Sequence, residues 1–323
     1  ANGVHAMVGA AKKSERGVAL LVTMMALALM TLLVMDFTTS ASLGYRSAAG
    51  QANELRAEYL ARSAVSVGLS LLSTDAKLDA LAKTPHDGLD EPWAQPYPPL
   101  PLGGGITQVS IIDEARKLDI NMLINPRNGQ PNPEYAAIIE RLFTNIGVSP
   151  ALIPAIVDWL DPDSIESPGG AEADYYLRLI PPYEPRNGPM PTIGDLRMIR
   201  GVDDATFFRL QQFLTAAPEP RVNINTAPPE VIAALVPQLS SDTSMVKQIV
   251  QARSVQPLLM VTDVGNLAGL GEAATPLMKL ITTRSAYFTV TGVGIYAGSR
   301  QRITSTFRRN SNGTSMLASW HEG

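Results

Sequence analysis

Residues Val18 to Met35, VALLVTMMALALMTLLVM, form an uncharged, proline-free run of 18 residues preceded directly by Lys12, Lys13, Glu15, Arg16 and Gly17. At about 1.5 Å of rise per residue a helix of this run spans roughly 27 Å, close to the hydrocarbon thickness of a bilayer. The run can therefore cross a membrane. The basic residues before it place the N-terminus in the cytoplasm and the bulk of the chain on the other side.

How the run ends is as informative as its length. A secretory signal peptide has a shorter apolar core followed by small residues at a cleavage site. Here the sequence continues as DFTTSASLGYRSAAGQANELRAEYLARSAVSVGLSLLS without a proline. Within it Ala57, Leu60, Ala64, Val67 and Leu71 recur at spacings of three and four, with Arg56, Glu58 and Arg62 off that stripe, the pattern of an amphipathic helix. One continuous helix from about Val18 to about Ser73 is expected, on the order of 80 Å long, membrane-embedded first and packed on a soluble body later. An ordinary single-span signal anchor would explain the apolar run alone.

A basic leader ending in glycine, followed by such a helix, resembles the class III leader of type IV pilins and of the pseudopilins of type II secretion. The resemblance implies that prepilin peptidase cuts the Gly17–Val18 bond on the cytoplasmic side. Most of that group carry glutamate at the fifth mature position, where this chain has Val22. The K-type (GspK-like) minor pseudopilins characteristically lack it, and its absence suits a subunit at the end of a filament.

With 323 residues the chain can hold two soluble units behind the membrane helix. Its formal charge is −4; the leader's three cations against Glu15 contribute +2, so residues 18 onward carry −6. Such a chain has no general attraction to nucleic acid or anionic lipid. It contains no cysteine, which excludes disulfides and thiolate chemistry. The three histidines, His5, His86 and His321, are far apart in sequence. No HExxH, GxSxG or Walker glycine loop occurs, so no enzyme motif is present.

Thr84 to Gly105 contains six prolines and a closing triple glycine and is expected to be an exposed linker or long loop. Ile106–Asp113 is a strand, and a turn leads from it into Leu118–Asn121. Ala286–Tyr296, Arg302–Arg308 and Ser315–Trp320 are three further short strands separated by the hairpin compositions AGSRQ and RNSNGT. Between these strand groups lies a helical region with an internal repeat. Its first copy runs through Asp119-Ile120-Asn121, Pro133-Glu134, Ile156-Val157, Asp195-Leu196 and Gly201-Val202, and its second through Asn223-Ile224-Asn225, Pro229-Glu230, Ile249-Val250, Asp263-Val264 and Gly269-Leu270. Asn or Thr before each Pro-Glu marks a helix start. Each copy then reads helix, turn, helix, turn, short helix, much like tandem helix-hairpin-helix units. Ile156 to Asp195 spans 39 positions and Ile249 to Asp263 only 14, so the first copy carries an insertion of about 25 residues.

That insertion holds Asp158, Asp161, Asp163, Glu166, Glu172 and Asp174 with no basic residue among them, and Pro162, Pro168, Gly169 and Gly170 keep the loop from being helical. Carboxylates this close repel one another by roughly 1 kcal/mol per pair at 4 Å in bulk water. A hard cation would relieve that, and calcium, with six to eight oxygens in flexible geometry, suits such a loop better than magnesium. The Asp161–Asp163 spacing is a fragment of an EF-hand, but the remainder of that motif is absent. Solvated surface is the alternative.

DWLDPDSIESPGGAEADYYL is similar to the DWxDxD…GAExDYY signature of K-type pseudopilins, whose helical domain binds calcium. The resemblance implies Ca2+, and the loop's Asp161, Asp163, Glu166, Glu172 and Asp174 are the expected ligands, with Asp158 set apart at the end of the preceding helix. It also implies an α+β fold: a pilin-like N-terminal membrane helix (18–75) after the leader (1–17), packed on an antiparallel sheet (76–118 and 286–323), with an all-α domain (119–285) inserted between strands. The expected partners are prepilin peptidase, the inner membrane, minor pseudopilins of the I, J and H types and the type II secretion inner-membrane platform. The expected role is structural, at the tip of a periplasmic pseudopilus. The rival is a membrane-anchored, competence-type DNA receptor, whose helix-hairpin-helix domain often begins with a VNINTA-like run, as at Val222–Ala227. Against it, Asp203, Asp204 and Glu272 put negative charge where a hairpin would meet phosphate, and no nucleic-acid partner is expected.

Overall fold

The computed structural model describes residues 7–83, 85–310 and 313–322. The leader's charged side chains, Lys12, Lys13, Glu15 and Arg16, lie outside what is described, as do His5 and Thr84.

A single helix, α1 (Met7–Leu81), runs unbroken for 75 residues, about 110 Å, and ends later than the sequence stripe indicated. Its apolar window is wholly exposed, as a membrane span outside a bilayer must be. From Ala57 onward one face is buried, through Ala57, Ala61, Ala64, Val65, Gly68, Leu72 and Ala76. This face is rotated slightly from the expected one. Val67 is exposed and Leu71 only half-buried, because the line of closest approach follows the small residues rather than the large ones.

The reason is the sheet beneath. Strands β1 (Leu100–Leu102) and β2 (Gly105–Asp113) form a hairpin turned by Gly103 and Gly104, both at positive φ. After a long excursion through the inserted region, β7 (Tyr287–Tyr296), β8 (Ser299–Arg309) and β9 (Ser315–Glu322) complete an antiparallel sheet in the order β1-β2-β7-β8-β9. A Cβ on Gly292 would collide with the carbonyl oxygen of Ala61, and one on Gly294 with that of Ala57. Glycine on the strand and alanine on the helix thus let two backbones touch. Phe288, Val290, Ile303 and Phe307 fill the rest of this core.

The proline-rich stretch departs from the expected exposed linker. Pro92–Ala94 forms a 3-10 turn that buries Trp93 edge-on against Phe288, with ring centroids 5.1 Å apart, and its indole N–H donates to Glu91. Composition marks proline-rich loops as exposed, but one indole has enough apolar area to fold such a loop onto a core.

The inserted region has a separate hydrophobic core. Its elements are β3 (Leu118–Asp119), α2 (Pro133–Asn145), α3 (Ile153–Leu160), α4 (Ala173–Tyr176), α5 (Asp204–Leu210), β4 (Leu214–Thr215), β5 (Val222–Asn223), α6 (Pro229–Leu235), α7 (Pro237–Ser241), α8 (Thr243–Val255), α9 (Ala274–Leu280) and β6 (Ile281–Thr282). It is therefore not purely helical. β3 pairs with β4 and β5 with β6, both parallel, and the segment Leu118–Asn121 that follows the turn is a two-residue strand ending at Asp119, where a 3-10 turn begins.

These ladders close the two repeats: in each copy the opening segment pairs with the segment that ends it. The Asn121 amide bridges backbone groups of Met190, accepting from its N–H at 2.8 Å and donating to its carbonyl at 3.1 Å. Asn225 does the same with Leu258, at 2.9 Å each way. Asp119 and Asn223 each accept the N–H two residues on, at 3.0 Å, and Gly201 and Gly269 share φ near +80° (84 and 81). Asn132 caps α2 as expected. In the second copy Thr226 does not cap; Pro228 occupies that position and the threonine hydroxyl is used elsewhere.

Candidate functional site

The loop after α3 is built by short-range constraints. Asp158, fully buried at the end of α3, accepts from the N–H of Ser167 through both carboxylate oxygens, at 3.2 and 3.1 Å. A side chain on Gly170 would strike that carboxylate, so glycine is required there. Arg200 reaches across to donate to the Gly170 carbonyl at 2.9 Å. The loop exit is pinned by Tyr176, fully buried against Trp159, with Tyr183 beside it.

Folding in this way brings Asp161, Asp163 and Glu172 together, each offering a carboxylate oxygen within 4.8 Å of the others. Asp161 and Glu172 are buried, yet Oδ1 of Asp161 and both oxygens of Glu172 find no hydrogen-bond partner among the described residues. Burial pushes the Asp161 carboxyl up to about 7, with Asp163, Asp158 and Glu172 adding to the rise, and burial with Asp158 raises Glu172 as well. Orphaned buried carboxylates at this separation fit a calcium ion, whose oxygens stand 2.3–2.6 Å from the metal and hence at most about 5 Å from one another. The donors are hard oxygens only, with no nitrogen or sulfur, a set that suits calcium, magnesium or manganese rather than zinc or copper.

Two of the expected ligands are not in this group. Glu166 is half-exposed and faces Arg200 at 4.0 Å, and Asp174 is exposed in the first turn of α4, where its charge favours the helix start. Asp158 is spent on the Ser167 N–H. At the other end of the chain, Gly17 and Val18 lie within α1, exposed.

A second polar centre, unforeseen from the sequence, joins the two cores. Asp113, at the end of β2, accepts from Asn223 Nδ2 at 3.0 Å, from the Thr226 hydroxyl at 2.6 Å and from the Ala115 N–H at 2.8 Å. Asn223 also donates to the Asp87 carbonyl and the Ser285 hydroxyl. Asp87 accepts from the Ser285 N–H and from Arg309, whose other nitrogen reaches Asp75 on α1. Glu219 accepts the N–H groups of Ala286 and Tyr287, each at 2.7 Å. Burial pushes Asp113 and Asp75 up to about 6 and Glu219 to about 7. The VNINTA run that suggested DNA binding thus supplies Asn223 and Thr226 to the place where the chain leaves and re-enters the sheet. The Asn-x-Asn repeat signal was visible in sequence, but nothing marked Asp87 or Arg309 as its partners.

The chain has relatives among known proteins. Residues 116–219 and 222–284 match two models described as type II secretion system (T2SS), protein K. The chain is 27% identical to type II secretion system protein K of Pseudomonas aeruginosa, over 94% of this chain and 91% of that one. It is 31% identical to the Klebsiella pneumoniae protein of the same name, over 77% and 82%. Among solved structures, a chain of the GspK-GspI-GspJ complex from the enterotoxigenic Escherichia coli type 2 secretion system superimposes with a TM-score of 0.68 at 21% identity, covering 86% of this chain and 99% of that one. That likeness carries the fold: a long N-terminal helix on an antiparallel sheet with a large inserted domain. With its membrane-length helix, pilin-like sheet and two repeats all accounted for, the chain belongs to the type II secretion system protein K family, the GspK-type minor pseudopilins.

Proposed function

We propose that this minor pseudopilin sits at the tip of the periplasmic pseudopilus, where it initiates or caps assembly together with I-, J- and H-type subunits for export across the outer membrane. The observation that carries this reading is where the insertion lies. Along α1 from Ala57 to Asp75 the facing sheet residue moves from Gly294 toward Ser285, so the inserted domain stands at the end of the pilin-like body away from the membrane segment. A subunit stacked beyond it would meet the inserted domain instead of a pilin helix. Val22 in place of the usual acid agrees with an end position. A related chain is known in a GspK-GspI-GspJ complex, which supports I- and J-type partners here.

In this reading the leader is cut between Gly17 and Val18 by prepilin peptidase, α1 anchors the protein once in the bacterial inner membrane beside the secretion platform, and the soluble part is periplasmic. Calcium is held by Asp161, Asp163 and Glu172, and it supplies positive charge that lets three close carboxylates stay ionised and fixes the loop. The role is structural rather than enzymatic. DNA binding is disfavoured because the N-terminus of α5 is already capped by the Asp203 carboxylate, which accepts the Thr206 N–H at 2.8 Å where a phosphate would sit.

The test is replacement of the resident protein K in a secreting bacterium. The intact chain should restore secretion and co-purify with the other minor pseudopilins, whereas Gly17→Val should remain uncut and fail. Restoration by the uncut variant, or co-purification with a DNA-uptake channel, would overturn the reading.

A further inference from the structure

The internal repeat exposes a difference between equivalent slots. In the first copy the space between α3 and the turn at Ile193–Met198 is filled by the insertion. Tyr176 packs on Trp159 with ring centroids 5.3 Å apart and its hydroxyl accepts the Arg200 N–H at 3.3 Å; Tyr183 lies beside it and donates its hydroxyl to the Met198 carbonyl at 2.8 Å. In the second copy the alignment that pairs Ile156 with Ile249 and Asp195 with Asp263 puts Ala252 at the position of Trp159, Asn266 at that of Met198 and Ala268 at that of Arg200. All three line an open groove of about 840 Å3 between α8 and the turn at Val261–Asn266.

The groove is apolar at its floor, with Ala252 leaving open the space that the Trp159 ring takes in the first copy. Val255 is 84% exposed and Met260 52%, giving apolar surface that nothing in the chain covers among the described residues. Gln248, Gln251 and Gln256 line it with neutral amides, and its one carboxylate, Asp263, is already engaged by the N–H groups of Leu259 and Met260 at 3.0 and 2.8 Å. An apolar floor with neutral hydrogen-bonding groups suits an aromatic ring that carries a polar tip, which is what tyrosine offers at protein interfaces.

We propose that this groove receives a tyrosine-bearing loop of a partner protein, seated as Tyr176 and Tyr183 are seated in the first repeat. The occupant comes from another protein rather than a second copy, because the chain's own aromatic segment is committed to its own slot, where Tyr176 is fully buried. The inference stands apart from the tip placement, since it rests only on the two repeats.

Two measurements test it. A fluorescent peptide of residues 174–183, DYYLRLIPPY, titrated against the full chain in detergent should bind saturably. Binding should weaken by roughly tenfold or more, about 1.4 kcal/mol, when Tyr176 and Tyr183 of the peptide are changed to Ser, and likewise when the exposed groove residues carry Val255→Glu and Met260→Glu. Both positions are solvent-facing, so an unchanged far-ultraviolet spectrum and melting curve will show that the variant is folded. Absence of binding at roughly 1 mM peptide, or equal binding by the variant, overturns the proposal. In secreting cells, a photoreactive phenylalanine derivative at Val255 should give an adduct that maps to a tyrosine-containing loop of another chain. An adduct with a second copy, or none, overturns the assignment of the occupant.

Discussion

Asp161, Asp163 and Glu172 illustrate how an acidic loop becomes a site. Six carboxylates in seventeen positions announce a charge problem but not which of them solve it. The fold decides, through Asp158 clamping Ser167 and through Gly170 allowing that clamp. A group buried without a hydrogen-bond partner costs about 1–3 kcal/mol or more, and a cation bound only by the folded loop returns stability with the logarithm of its concentration, about 2.7 kcal/mol at a hundred times its dissociation constant. The expected outcome is that chelation lowers the melting temperature and exposes the loop to protease between Pro162 and Ala173. Asp163→Ala with Glu172→Ala should melt identically in calcium and in chelator. Single substitution of Asp174, which stands outside the group, should leave the calcium dependence largely in place. Equal melting of the unsubstituted chain in calcium and chelator would identify the loop as solvated surface.

At the scale of elements, the contact of α1 with β7 is the most constrained in the pilin-like body. A Val at Gly294 has to displace backbone atoms of Ala57 and Ala61, which no rotamer change can relieve. Gly294→Val should therefore destabilise by about 1–3 kcal/mol, read as a lower denaturation midpoint of the intact chain, while Gly50→Ala, in α1 with open space around it, should not destabilise, since alanine is the better helix former. An unchanged midpoint for the valine variant would mean that the helix does not lie on the strand as described. The strands and the amphipathic helix were legible in sequence because alternation and the three-four spacing report a buried face directly. The exact face was not, since Val67 and Leu71 carry more apolar area than Ala61 and Gly68 but the closest approach belongs to the small residues. The repeat was legible through Asn121 and Asn225. Its closing ladders were missed because two-residue strands leave no periodic trace, and Trp93 was hidden in a loop whose prolines dominated its composition.

For the whole molecule, the polar junction links the body, the inserted domain and the end of α1. Asp113 and Glu219 have folded carboxyl pKa values near 6 and 7, above the roughly 4 of an unfolded chain. A raised carboxyl pKa means that the fold favours the protonated form. Its stabilising contribution is complete below the unfolded pKa and lost as pH rises through 6–7. Melting temperatures measured in chelator should fall from about pH 4 to about pH 7 and level off above that, and a flat or rising profile across that window would contradict the burial of these groups.

The tip assignment makes the strongest demand on the molecule as a whole, because the inserted domain, held by Asp113, Asn223, Asp87 and Arg309, must leave no room for a subunit beyond it. Electron cryomicroscopy of pseudopili assembled with this chain and its I-, J- and H-type partners addresses that directly. The account predicts one copy per filament, at the membrane-distal end, with the pilin-like body against its neighbours and the inserted domain outermost. Copies found along the shaft, with other subunits stacked past the inserted domain, would contradict it.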